Sequence, residues 1–195
     1  MSKTSPSAKI EAVTPFPYDE LDKLWEWIEA ARKAVADDFS PTTPIEFLVD
    51  ESNLPENVAT FGILREGELG GYVKAVQTSP IVVEAHCVFK QEFYGSATTI
   101  PALSLIAGQL FDCGIERITM PVYAHNFAIK SLIKKLGGVE EGRLRNYTKQ
   151  NSQPVDLLIF GLLKADFEKI FNPAPKLDGD TWPQQHQSSD SAAHL

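Results

Sequence analysis

His125-Asn126-Phe127-Ala128-Ile129-Lys130-Ser131-Leu132-Ile133-Lys134-Lys135-Leu136-Gly137-Gly138-Val139-Glu140-Glu141-Gly142-Arg143-Leu144-Arg145 is the stretch on which the reading of this chain turns. Ile129, Leu132, Ile133 and Leu136 recur at i, i+3, i+4 and i+7, the spacing of one apolar helix face, so a helix is predicted over Ala128–Leu136. Just upstream, Arg117 to Tyr123 alternates Ile118, Met120 and Val122 and reads as a strand. Just downstream, Arg143 to Thr148 and Val155 to Leu163 read as two strands flanking a polar turn.

Further out, the same alternation continues. Thr60 to Leu64, a turn over Glu66–Gly70, Tyr72 to Gln77 and Ile81 to Phe89 make a β-meander. A helix follows from about Thr99 to Cys113, with Leu103, Ile106 and Leu110 on one face. Near the start, Leu21, Leu24, Trp25, Ile28, Ala31 and Val35 mark another helix, for which Asp19 and Asp22 are candidate caps. Residues 37–58 read as a long loop with one short apolar piece, Ile45 to Val49. The order β-β-β-α-β-α-β-β behind an N-terminal helix predicts an α+β domain, with a mixed twisted sheet and helices on both faces.

The chain has 195 residues, 43% hydrophobic and 23% charged, enough for one domain with a real core. That domain is expected over residues 9–171, after a flexible N-terminus (1–8). A polar, proline-containing tail (172–195) ends the chain, able to become ordered on a protein partner. The formal charge of −8 argues against indiscriminate binding to nucleic acid or anionic membrane and favours a neutral or cationic partner. Cys87 and Cys113 lack metal-knuckle spacing and are expected to be reduced, so no metal site is predicted. No apolar stretch is long enough for a span, and Met1–Ser7 has no signal-peptide core, so a cytoplasmic location is expected.

Two places carry candidate chemistry. Glu92-Phe93-Tyr94-Gly95-Ser96-Ala97-Thr98-Thr99 leaves a strand and opens a helix. Small residues there let a ligand approach the backbone, and the first N–H groups of a helix point outward with the positive end of its dipole. That is what a pyrophosphate needs. Glu84 and His86, two apart on one strand, share a face and form a candidate base and its orienter.

The Asn126–Arg145 stretch resembles the GCN5-related N-acetyltransferase (GNAT) superfamily. It has the family's asparagine, short helix, lysine-leucine-glycine and then glutamate-glycine-x-leucine-arginine. Tyr147 and Asp156 continue the likeness, which is nearest to the ribosomal-protein N-terminal acetyltransferase branch and covers about Thr60 to Phe167. The resemblance implies a splayed pair of strands, acetyl-CoA or coenzyme A as cofactor, and acyl transfer to an amine on a protein N-terminus or a small molecule. It implies that pyrophosphate lies against Tyr94, Gly95, Ser96, Ala97, Thr98 and Thr99, with pantetheine along Val88 and Phe89 and Asn126 beside the cofactor. Glu84 would be the general base and His86 its relay. Pro121 would stand where the second splayed strand has no neighbour to receive an N–H.

The likeness departs from the family at three points. The leading arginine or glutamine of the phosphate loop is absent, Ile133 replaces a frequent tyrosine acid, and Gly138 replaces a phenylalanine. Val83-Glu84-Ala85-His86, with Asn126 after Pro121, also resembles acetyltransferase-like proteins encoded by phages, some tied to head assembly. That second resemblance implies a non-catalytic structural or assembly protein of a virion as the alternative.

Overall fold

The computed structural model describes residues 8–52 and 54–171. The expected tail, with its partner, therefore lies outside the described residues, as does most of the N-terminal segment. Seven strands form one sheet: β1 (Ile10–Val13), β2 (Val58–Arg65), β3 (Glu68–Ser79), β4 (Val82–Phe89), β5 (Arg117–Tyr123), β6 (Val139–Gln150) and β7 (Gln153–Leu163). Their spatial order is β1-β2-β3-β4-β5-β7-β6, and every pair is antiparallel except β4–β5. The helices are α1 (Leu21–Val35), α2 (Pro44–Ser52), α3 (Ser96–Asp112), α4 (Phe127–Lys135) and α5 (Lys164–Ile170).

Alternation along the strands distributes the core between the two faces of the sheet. Phe61, Val73, Val83 and Phe89 pack with Ile106, Leu110 and Phe111 of α3 and with Phe167 of α5. On the other face Tyr72 and Val88 meet Phe16, Leu21, Leu24 and Trp27 beneath α1, with Phe47 of α2 completing that layer. Ile133 of α4 closes a third cluster with Val122, Leu158 and Phe160. The α+β expectation, a mixed sheet with helices on both faces, therefore holds.

Three expectations need correction. The segment read as a loop over 37–58 contains α2, and its start is a capping box. Glu46 N–H donates to Thr43 Oγ1 at 3.3 Å while Thr43 N–H donates to Glu46 Oε2 at 3.2 Å, with Pro44 in the first turn. Neither Asp19 nor Asp22 caps α1; the cap position is Glu20, without a side-chain bond, after a short turn over Tyr18–Glu20. The short edge strand β1 and the closing helix α5 are additional, because four and seven residues are too few to show a period.

The outer strand β6 is unusual in its exposure. Every residue from Val139 to Tyr147 is exposed, and its pairing with β7 slips twice, between Glu140 and Gly142 and between Leu144 and Thr148.

Candidate active site between two parting strands

Strands β4 and β5 pair only at Val82–Arg117, Val83–Ile118 and Glu84–Thr119. The backbone explains why they stop. Ala124 N–H donates to Asp156 C=O, at 2.9 Å, so even-numbered residues of β5 point their N–H groups at β7. Odd-numbered ones therefore face β4. After Thr119 the next such donor belongs to residue 121, which is proline. The parallel ladder loses its rung there, while the β5–β7 ladder loses nothing. Beyond it the strands separate, as the sequence predicted.

Beyond the last rung the edge of β4 turns toward the opening. Lys90 N–H donates to Gly70 C=O at 2.9 Å, which assigns the even-numbered N–H groups of β4 to β3. Those of Ala85, Cys87 and Phe89 point away from β3: Ala85 N–H meets Thr119 C=O in the last parallel rung, Phe89 N–H is taken by the Tyr94 hydroxyl, and Cys87 N–H faces the opening. Val88, expected beside the cofactor, instead turns its N–H to β3 and its side chain into the α1 layer.

The opening leads into a cavity of roughly 470 Å³ that reaches both faces of the sheet. On the α3 side its wall is apolar: Leu103, Ile106, Ala107, Leu110, Ile133 and Leu136. Cys87 lies along it with a thiol that burial pushes up to about 12, so it stays protonated. On the α1 side polar groups join the lining: Asp37, Glu84, His86, Tyr123, Asn126 and Tyr147, beside apolar Val35, Leu144 and Ile159.

Glu84 and His86 are paired as their shared face requires: His86 Nε2 lies 2.9 Å from Glu84 Oε1, with the side chains 49% and 40% exposed. The hydrogen bond from His86 holds the Glu84 carboxyl below the ordinary carboxylate range, against the opposing effect of burial. A carboxylate stabilised in this way is a poor proton acceptor. The pair therefore suits His86 as the acceptor and Glu84 as the group that orients it.

Sequence reading missed Asp37 and Tyr123, which only tertiary structure brings to this site. Burial acts to raise the Asp37 carboxyl, but hydrogen bonds from Thr148, Ser40 and the Phe39 N–H outweigh it and hold the group low. Tyr123 is pushed up to about 12, first by burial and then by the charge and hydrogen bond of Asp37. The end of α1 above them is clamped. His125 Nε2 lies 2.8 Å from Lys33 C=O, and Gln150 Nε2 donates to Ala36 C=O. Asn126 uses its amide twice, accepting from Ile129 N–H at the start of α4 and donating to Ala34 C=O, each at 3.2 Å. It thus lines the cavity as a tie between α1 and α4.

The predicted phosphate loop opens α3. Gly95 is its cap residue with φ 138°, and a Cβ built there would meet nothing within 4 Å, so the space above it is open. Gly95 C=O receives Thr98 N–H and Thr99 N–H, at 3.1 and 2.9 Å, and Thr99 Oγ1 at 2.7 Å. Helix geometry frees the N–H groups of Ser96 and Ala97. No arginine or glutamine precedes them in the chain, yet Arg65, at the end of β2, supplies a cation from elsewhere. Its guanidinium donates to Glu92 C=O at 2.8 Å and lies 4.4 Å from the centre of the Phe93 ring. Tyr94 folds back so that its hydroxyl takes the Phe89 N–H, and its ring packs 6.1 Å from Phe89. Among the described residues no group of three His, Cys, Asp or Glu side chains is placed to hold a metal ion. No helix there is long and apolar enough to cross a membrane.

No protein-family model matches the sequence. Solved structures are similar across most of the chain. The ribosomal-protein-alanine N-acetyltransferase of Brucella melitensis superposes with a TM-score of 0.64 at 15% identity, over 80% of this chain and 99% of that one. The ribosomal L7/L12 alpha-N-protein acetyltransferase in complex with coenzyme A gives 0.66 at 14%, over 82% and 95%. The yncA protein of Salmonella typhimurium, with its cofactor acetyl-CoA, gives 0.64 at 15%, over 80% and 94%. With its splayed strands, its loop-to-helix turn and these likenesses, the chain has the fold of the GCN5-related N-acetyltransferases.

Proposed function

We propose that this protein is an N-acetyltransferase that uses acetyl-CoA to acetylate an amine. The observation that carries the reading is the opening between β4 and β5, where the edge of β4 beyond its last rung leads to the exposed start of α3. The residues present fit the cofactor. The open backbone at Gly95 and the free N–H groups of Ser96 and Ala97 suit a pyrophosphate, with Arg65 nearby to balance charge. The Cys87 N–H suits an amide of a pantetheine arm or a developing oxyanion.

Bound acetyl-CoA supplies a thioester carbon that an amine attacks, the C–N bond forming as the C–S bond breaks and coenzyme A leaves. The protein positions the amine and removes its proton. With Nε2–H donated to Glu84, His86 presents Nδ1 as the proton acceptor. The named ribosomal-protein acetyltransferases support a protein N-terminus as the acceptor.

One observation favours the non-catalytic alternative: Ile133, where many relatives carry a tyrosine acid, is buried in the cluster with Leu158 and Phe160. Titration of coenzyme A separates the two readings. At about 100 times its dissociation constant, coenzyme A should stabilise the folded protein by about 2.7 kcal/mol. Gly95→Asp, placing bulk and negative charge in the open cradle, should abolish the effect. Absence of both heat and a thermal shift at millimolar coenzyme A would establish the non-catalytic reading.

A further inference from the structure

The α1-side end of the cavity carries charge of one sign. Among the described residues its ionisable lining is Asp37, Glu84 and His86 with two tyrosine hydroxyls, and no lysine or arginine contributes. Two sheet cations beside it in register are matched, and a third, Arg145 next to Leu144, lines the neighbouring hollow with Asp156. Lys74, across the strand from His86, donates to Glu51 at 2.7 Å, and Arg143, beside Leu144, donates to Asp156 at 2.6 Å. Both lining carboxylates are fixed by hydrogen bonds, Glu84 to His86 and Asp37 to Thr148 and Ser40.

Such a lining treats the two ends of an amino acid differently. An ammonium entering it exchanges water for carboxylate neighbours. A carboxylate two bonds from that nitrogen would be carried in with it, desolvated beside two like charges and with no cation to receive it. A neutral amide at the same position meets no such penalty.

Resting on the acetyltransferase reading, we infer that the acceptor is an amine without an adjacent carboxylate, namely a peptide N-terminus or an alkylamine, and that free α-amino acids are excluded. Apolar Leu144 and the half-open phenol of Tyr147 then border the part of the acceptor that follows the amine.

The test compares alaninamide, isopropylamine and alanine. The first two bracket the basicity of alanine, so charge and not amine pKa decides the order. Binding to the protein is measured by calorimetry with and without saturating coenzyme A, and turnover by release of the free thiol from acetyl-CoA. Alaninamide and isopropylamine should each bind at least about tenfold more tightly than alanine. Leu144→Arg, which adds a cation to the half-exposed rim, should narrow that gap by strengthening alanine alone. Equal or tighter binding of alanine to the wild type overturns the inference, as does silence of all three compounds. Failure of coenzyme A to bind would overturn the acetyltransferase reading instead, while an amide-over-acid preference in the free protein would still uphold the charge rule of the cavity.

Discussion

His86 has two ring nitrogens, and Glu84 engages only one of them. Removing the ring should therefore cost more than removing its partner. His86→Ala should lower turnover by about 10²–10⁴-fold, the usual range for an acid–base group, with coenzyme A affinity unchanged. Glu84→Gln should cost less, and Glu84→Asp, which keeps the charge, should restore part of the loss. A pH series adds a readout. The Glu84 carboxyl is held below its ordinary value of 4.5, so the pair's contribution to stability is present above that value and lost as pH falls through the depressed one. Wild type should melt above Glu84→Gln at neutral pH and converge with it in acid. Full turnover in all three variants would make the pair structural. The pair was legible because two residues on one strand share a face whatever the rest of the fold does. Asp37 and Tyr123 were not, since their meeting depends on where the end of α1 lands. Arg65 was hidden for the same reason: a search for the loop's cation within the loop cannot find one delivered by β2.

The parting of β4 and β5 is a property of elements, set by a missing N–H at residue 121. Pro121→Val restores a donor that can reach Ala85 C=O and extend the ladder by one rung. The variant should be as stable as wild type or gain about 1 kcal/mol, a typical net value for one hydrogen bond. Its affinity for coenzyme A should fall by about tenfold as the opening narrows, and calorimetry reads both effects. Unchanged affinity would mean that something other than the proline keeps the strands apart. At this scale the strands other than β1, and the helices α1, α3 and α4, followed from their periods. The helix α2 left a signal that composition masked: Thr43-Pro44-Ile45-Glu46 is a capping box with proline in the first turn, set among prolines and acids that read as loop. Nothing comparable announced β1, whose four residues pair with β2 and pack Ile10 and Ala12 against the α3-side core.

For the molecule as a whole, α5 closes the core on the α3 side of the sheet. Phe167 is fully buried, with its ring centre 5.3 Å from Phe111 and 4.8 Å from Phe171. Phe167→Ala should cost about 3–5 kcal/mol in urea denaturation, the range for emptying a buried aromatic site. A loss under about 1 kcal/mol would show that α5 is an appendage.

The two outer strands of the sheet differ in length and share a consequence. A foreign strand can add only where an edge offers an unbroken run of N–H and C=O groups. The β1 edge ends after four residues. The β6 edge is longer but is interrupted by two register slips, and it carries Glu140, Glu141, Arg143, Arg145 and Lys149 along its length. Neither edge is a template. The sheet is thus closed to polymerisation without being rolled into a barrel, and crowding by other unfolded chains finds no straight row on which to nucleate.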